Sequence, residues 1–253
     1  MGRVVFIGAG PGAADLITLR GLARLREADV VLADALIDPA LRAEAAPDAR
    51  WIDVGKRGFS TESTAQARID ALLVEHARSA RLVARLKGGD PSLFGRLEEE
   101  LQALAEAGIE AEVVPGITAA VAAAALTQRP LTRRGVGRSV AFSTAMTQAG
   151  ELEARRSADT EVFYMAGRQL DSLAHKLREV GWAPQTPALV VSRAGWPDQR
   201  ISLHDVGTLG EAAPVHAGQP TIVTVGAGAV AIGAAPTSND GPDAATAASA
   251  RNA

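Results

Sequence analysis

Apolar positions in this chain alternate between short β-branched runs and helical stripes. Val4–Gly8 is apolar and ends in glycine, which predicts a buried strand. From Asp15 to Glu27 the apolar residues Leu16, Leu19, Leu22, Ala23 and Leu25 recur at helical intervals, so one helix is expected there. Val30–Ala33 reads as a second strand. Thr61–Ala80 carries Ala65, Ile69, Leu72, Leu73 and Ala77 on one helical face, with Ser60 or Thr61 available as a cap and Glu62 in the first turn. A strand over Arg81–Leu86 runs into Lys87-Gly88-Gly89. A helix over Leu97–Ala107 stops at Gly108, and a strand over Ala111–Val114 closes at Pro115-Gly116.

The same alternation continues after Gly116. An alanine-rich helix is expected over Ile117–Leu126, and another helix over Gln169–Val180, ended by Gly181. Ser139–Thr144, Glu161–Met165, Ala188–Ser192 and Thr221–Val225 read as strands. Strands alternating with helices predict the α/β class with mainly parallel or mixed sheets. The division falls between residues 1–116 and 117–233, giving two α/β domains. From Ala234 the chain turns small and polar and is expected to be a disordered tail over 234–253.

Composition narrows the chemistry. With 253 residues, 47% hydrophobic and 22% charged, the chain suits a soluble globular protein that buries a substantial core. It has no cysteine, which excludes disulfides, thiol catalysis and thiolate metal sites. His76, His175, His204 and His216 lie far apart without ligand spacing, so no metal is expected. No apolar stretch approaches the ~20 residues of a membrane span, and the start shows no leader pattern. A cytoplasmic protein without a membrane partner is the expectation. A net charge of −3 provides no field for nucleic acid. Only Lys56, Lys87 and Lys176 are lysines, so 23 of the 26 basic residues are arginines, whose planar forks suit carboxylates.

The glycine loop VVFIGAGPGAADL has three readings. As a dinucleotide fingerprint it offers Gly8, Gly10 and Ala13, with Asp34 about twenty residues on. Pro11 argues against this, because it removes a backbone donor where amides should face a pyrophosphate. The loop also reads as a turn serving close packing alone, or as a site for another adenosine compound.

Further motifs favour the last reading. GAGPGAADLITLRG is similar to the opening motif of the tetrapyrrole methylases, which use S-adenosylmethionine. ADVVLADALID, VGKRG, RLKGGDPSLFGR, VVPGITAAVAAAALTQRPLTRR, TEVFYMAG and PTIVTVGAGAV resemble further segments of that family, in its order, from about Val4 to Ala231. Within the family, KGGDP with FGR and GKR points to the uroporphyrinogen-III C-methyltransferase branch. That branch methylates uroporphyrinogen III at C2 and C7, through precorrin-1 to precorrin-2, for sirohaem, cobalamin or haem d1.

The resemblance implies the tetrapyrrole methylase fold, two domains with a cofactor cleft between them, and a homodimer. It implies that Pro11 lines the cleft, that Gly88, Gly89 and Asp90 hold the methionine part of S-adenosylmethionine, and that Leu93 packs beside it. Thr118 and Ala119 match cofactor contacts, and Met165 and Ala194 match contacts to the adenosine part. The Gly226–Gly228 turn is expected to close the same pocket. Asp34 and Lys56 match a proton acceptor and donor, and Arg96 matches an arginine that handles the substrate.

Read without the resemblance, Asp90 suits a turn, Thr118 a helix cap and Met165 the core. Asp34 suits a cap, and Lys56-Arg57 a solvated pair. Uroporphyrinogen carries eight carboxylates, so Lys56, Arg57, Arg96, Arg129, Arg133 and Arg134 are expected as a cationic rim. Three departures from the family lie on the presumed substrate side: Ala33 before Asp34, Leu97-Glu98 after Arg96, and Phe142–Met146, which lacks a histidine. They keep a later precorrin methylase as a rival. A nicotinamide oxidoreductase and a non-catalytic binding module are the rivals of other classes. The fused sirohaem synthases carry a dehydrogenase/ferrochelatase half with no counterpart in these residues, so methylation alone is expected.

Overall fold

The computed structural model describes residues 2–55, 62–145 and 152–233, and for 62–65 the backbone only. Lys56, Arg57, the cap expected at Ser60 or Thr61, Met146 and the 234–253 tail lie outside the described residues.

The first sheet is parallel throughout. It contains β1 (Arg3–Gly8), β2 (Val30–Ala33), β3 (Arg50–Asp53), β4 (Leu82–Lys87) and β5 (Ala111–Val114), in the order β3-β2-β4-β1-β5. Alternation along β1 explains its two buried faces. Val5 and Ile7 join Leu25 of α1 (Leu19–Glu27). Val4 and Phe6 join Leu73 of α2 (Glu62–Ser79) and Leu104 of α3 (Leu97–Glu106). Each such fully buried side chain contributes about 1.5–3 kcal/mol relative to exposure. The chain leaves β1 towards β2 and leaves β4 towards β5, in opposite directions across the sheet. The adjacent carboxyl ends of β1 and β4 are therefore a topological switch point, where open α/β sheets form their ligand crevice.

The second sheet is mixed. It contains β6 (Val140–Thr144), β7 (Thr160–Tyr164), β8 (Pro187–Ser192), β9 (Arg200–Asp205) and β10 (Thr221–Gly226), in the order β6-β7-β10-β8-β9. Only β6 and β7 are parallel; β10 is antiparallel to both β7 and β8. One face packs on α5 (Leu170–Glu179) through Leu170, Leu173 and Leu177. The other packs on α4 (Ala119–Leu126), whose small residues Ala120 and Ala123 bring its backbone close to Val162 and Val191. A one-turn helix, α6 (Ala213–His216), precedes β10.

Three sequence expectations are corrected. The helix expected over Asp15–Glu27 is a 3-10 turn at Ala14–Leu16 followed by α1, because Thr18 caps α1 by accepting from the Gly21 amide at 3.1 Å. The helix expected from Ile117 begins at Ala119. β3 and β9 were not anticipated. Both are edge strands with incomplete burial, so their hydrophobic pattern is weak. No helix among the described residues is long and apolar enough to cross a membrane.

Candidate active site

The glycine-rich ends of β1 and β4 are fastened to each other. Gly89 donates to the Gly10 carbonyl at 2.7 Å, and Gly10 donates back at 3.3 Å. Gly89 has φ +71°, a region glycine occupies without cost. A Cβ there would lie 3.7 Å from Thr118 Cα, over the floor of a cavity. Asp90 locks the turn: its carboxylate accepts from the Ser92 amide and from the Gly116 amide, both at 2.8 Å. The turn-forming reading of Asp90 is thus realised, and it also ties the β4 loop to the entry of α4.

The cavity holds about 240 Å³ and lies between the two sheets. All nine residues singled out for cofactor contact line it: Pro11, Gly88, Gly89, Asp90, Leu93, Thr118, Ala119, Met165 and Ala194. Its remaining wall includes Tyr164, Val191, Arg193, Trp196 and Ile222. Thr118 stands at the N-cap of α4 but makes no capping bond. Its hydroxyl pairs instead with the Tyr164 Oη at 2.6 Å, joining the two halves. Burial pushes the Tyr164 phenol up, against the opposing pull of Thr118. The core reading of Met165 is corrected: it is 53% exposed and has φ +60°, because the chain turns sharply off β7 into the cleft.

The first loop does not have dinucleotide geometry. A helix should start at the glycines and aim its amides at a pyrophosphate. Here Pro11-Gly12 leads into a 3-10 turn, and α1 begins only at Leu19. Gly12 is instead covered by Trp196, whose Cδ1 would lie 2.3 Å from a Cβ at that position.

A second cavity of about 340 Å³ shares Leu36, Gly88, Leu93 and Phe94 with the first. Asp34, Arg96, Arg85, Lys87, Gln66 and Glu100 line it, as does Gly55, the residue before Lys56. Asp34 follows β2 directly, and its Oδ1 accepts from Arg85 Nη2 at 2.6 Å. Arg85 also donates to both oxygens of Glu100, at 3.0 and 3.2 Å. Lys87 Nζ reaches Glu100 Oε1 at 2.6 Å, and Gln66 reaches the same oxygen at 3.3 Å. Burial opposes the Arg85 charge, but Asp34 and Glu100 outweigh it and hold the guanidinium above its usual value. Burial and the neighbouring Arg85 push Lys87 below the ordinary lysine range, against Glu100. Arg96 holds Glu99 through a two-point fork at 2.7 and 2.6 Å.

Arg85, Lys87, Glu100, Tyr164 and Trp196 were not singled out from the sequence. A signal existed for three of them. Alternation along β4 puts Arg85 and Lys87 on the same face as Val83, and Glu100 lies three residues from Leu97 and four from Leu104 on the inner face of α3. Charges inside buried elements require partners. The backbone signal was not legible: Phe94, Arg96, Met165 and Arg193, all lining these cavities, have positive φ without being glycine.

Two further expectations are corrected. Arg129, Arg133 and Arg134 line neither cavity. Arg129 donates to the Ala229 carbonyl at 3.1 Å and Arg133 to the Val230 carbonyl at 3.3 Å, pinning the loop before β6 to the 3-10 turn after β10. The Gly226–Gly228 turn does not close the pocket. β10 runs antiparallel to β7 and β8, so its end lies at the opposite edge from Met165 and Ala194, against Asp159 and Thr160.

Comparison with known proteins sorts these observations. Residues 3–213 match the family of tetrapyrrole (corrin/porphyrin) methylases. This chain belongs to that family. The chain is 43% identical to the uroporphyrinogen-III C-methyltransferase of Pseudomonas aeruginosa over 213 residues, 82% of this chain and 86% of that protein. It is 40% identical to the siroheme synthase of a Psychrobacter species over 225 residues, 87% of this chain but 45% of that protein, so it spans about half the length of such relatives. The crystal structure of uroporphyrin-III C-methyl transferase from Thermus thermophilus complexed with S-adenyl homocysteine superposes with a TM-score of 0.76 and 35% identity, over 89% of this chain and 97% of that one.

Proposed function

We propose that this methyltransferase transfers methyl groups from S-adenosylmethionine to C2 and then C7 of uroporphyrinogen III, giving precorrin-2 by way of precorrin-1. The observation that carries the reading is the pair of cavities with a common wall at Leu36, Gly88, Leu93 and Phe94, one lined mainly by glycine and apolar side chains with Asp90 and Arg193, the other richer in charge, with Asp34, Arg85, Lys87, Arg96 and Glu100. The first fits an adenosyl compound: a glycine cradle that a Cβ would fill, a carboxylate at Asp90 and an apolar wall ending in Trp196. Bound there, S-adenosylmethionine supplies an electrophilic methyl on a positively charged sulfur. Gly88, Gly89 and Asp90 would hold its methionine part, with Pro11 and Leu93 beside it. Thr118, Ala119, Met165 and Ala194 would hold the nucleoside.

The protein's task is alignment and charge handling. The carbon–sulfur bond breaks as the new carbon–carbon bond forms, sulfur keeps the electron pair, and a proton must leave the macrocycle. Asp34, at the second cavity, is the proposed acceptor of that proton, and Lys56 the proposed donor. Arg96 is the proposed contact to substrate carboxylates. The same proposal covers a division into units 1–116 and 117–233, each holding one sheet, and a cytoplasmic homodimer.

Calorimetric titration with S-adenosylhomocysteine and with NADH tests the donor site. Saturable binding of the first and none of the second is expected, and the reverse would sink the reading. Anaerobic incubation with uroporphyrinogen III and labelled donor should add the mass of two methyl groups. A gain with precorrin-2 alone would transfer the activity to a later precorrin step.

A further inference from the structure

In the floor of the second cavity lies a buried charged cluster that the proposed mechanism does not use. Arg85 and Lys87 project from β4 and Glu100 from α3, each at most 2% exposed. Such charges persist only when paired and hydrogen-bonded. Glu100 serves both cations, through Oε2 to Arg85 and through Oε1 to Arg85 and Lys87. Arg85 is further fixed by donating to the Leu86 carbonyl at 3.0 Å. Its one bond towards the cavity is the 2.6 Å contact from Nη2 to Asp34 Oδ1. Asp34 itself sits on a loop, with its side chain 30% exposed. A loop carboxylate at a cavity has many rotamers, and a fork locked from below selects one.

We infer that Arg85, anchored by Glu100, is a positioning residue that acts through Asp34, fixing that carboxylate where the acceptor macrocycle loses its proton. The inference rests on the methyltransferase reading and extends it to two buried residues that act through Asp34. The planar fork is essential, since Nε and Nη2 engage Glu100 while Nη2 also reaches Asp34. An ammonium at position 85 retains the charge and pairs with Glu100, but cannot span both carboxylates.

The test is a cycle of Asp34→Asn, Arg85→Lys and the double variant in the full chain. Thermal melts and S-adenosylhomocysteine calorimetry are run beside turnover of uroporphyrinogen III. Each single variant should lower kcat about a hundredfold, the scale of a positioned base, with homocysteine-analogue affinity within about twofold of the parent. The double variant should lose no more than either single one, because both remove the same function. Multiplying losses, or an Arg85→Lys variant with parental kcat, would overturn the inference. Where Arg85→Lys shows no cooperative melt, Glu100→Asp replaces it in the cycle, keeping the charge while withdrawing the anchor. The parent protein carries the methyltransferase reading: no product there overturns that reading and this inference together. Product there with multiplying losses overturns the inference alone.

Discussion

The two sheets meet at one cleft with different contents. The parallel sheet sends all its strands the same way, so β1, β2, β4 and β5 deliver their carboxyl-end loops to one edge. These loops and the end of β4 supply Asp34, Lys87, Asp90 and Arg96, and the network beneath adds Arg85 and Glu100. The mixed sheet sends β7 and β8 to the cleft and β10 away from it, so fewer of its loops arrive. What it contributes is a wall of Tyr164, Met165, Val191, Ala194, Trp196 and Ile222, with Arg193 the charged member. Strand direction therefore gathers most of the charged groups on one side and a largely hydrophobic surface suited to a nucleoside on the other. Within the parallel sheet the strand-end loops touch main chain to main chain at Gly8, Gly89 and Gly116, while the Thr118–Tyr164 hydroxyl pair joins the two halves.

The largest expected effect parts the touching loops of the parallel sheet. A Cβ at Gly116 would lie 2.3 Å from the Gly89 carbonyl oxygen and 2.7 Å from Gly8 Cα, both backbone. Gly116→Ala should cost about 3 kcal/mol, at the upper end of ordinary overpacking. Urea denaturation checks this, and an unchanged midpoint would mean the loops separate freely. Next comes the charged half. Arg96→Lys keeps a charge but loses the fork, and turnover should fall about tenfold while S-adenosylhomocysteine affinity stays within about twofold. Equal loss of both would erase the distinction between the two walls.

The hydrophobic half should answer in the opposite way. Tyr164→Phe removes the 2.6 Å bond to Thr118. One neutral hydrogen bond is worth about 1 kcal/mol, so S-adenosylhomocysteine should bind roughly fivefold more weakly, with kcat at saturating donor unchanged. The smallest effect concerns stability and pH. His216 is buried between Ser192 and Ser202, with ring nitrogens 2.6 and 2.8 Å from their hydroxyls. Burial first, then His204 and Arg200, push its pKa below the ordinary histidine value. The unfolded chain therefore binds the proton more readily. This contribution to stability is complete above the unfolded value of about 6.5 and is lost as the pH falls below it. Melting temperatures at pH 7.5 and 5.5 should show that loss, and His216→Gln should flatten it. An identical slope in the variant would remove His216 as the source.

Much of this was legible in order of residues alone. Alternation and helical spacing located Val30–Ala33 and Ala111–Val114 to the residue, because strand and helix preferences act between near neighbours. Gly88-Gly89-Asp90 announced a tight turn for the same reason, and the motifs around it pointed to the residues that line the first cavity. The 3-10 turn before α1 was missed because the apolar period continues through it, while Thr18 decides where the helix starts. Met165 was ambiguous because an apolar residue at a strand end suits a core or a cleft equally well until the turn after it is known.

From its own order of residues, this protein's chain determined the local elements, the glycine turns and the absence of thiol chemistry, since each depends on residue type and close spacing. Only the tertiary structure decided that Asp34 would meet Arg85 across two strands, that Glu100 would hold two buried cations, and that the Gly226–Gly228 turn would lie away from the cleft. Those outcomes depend on strand order and strand direction. Both arise from packing between segments tens of residues apart, where a buried charge must find whichever partner the fold brings to it.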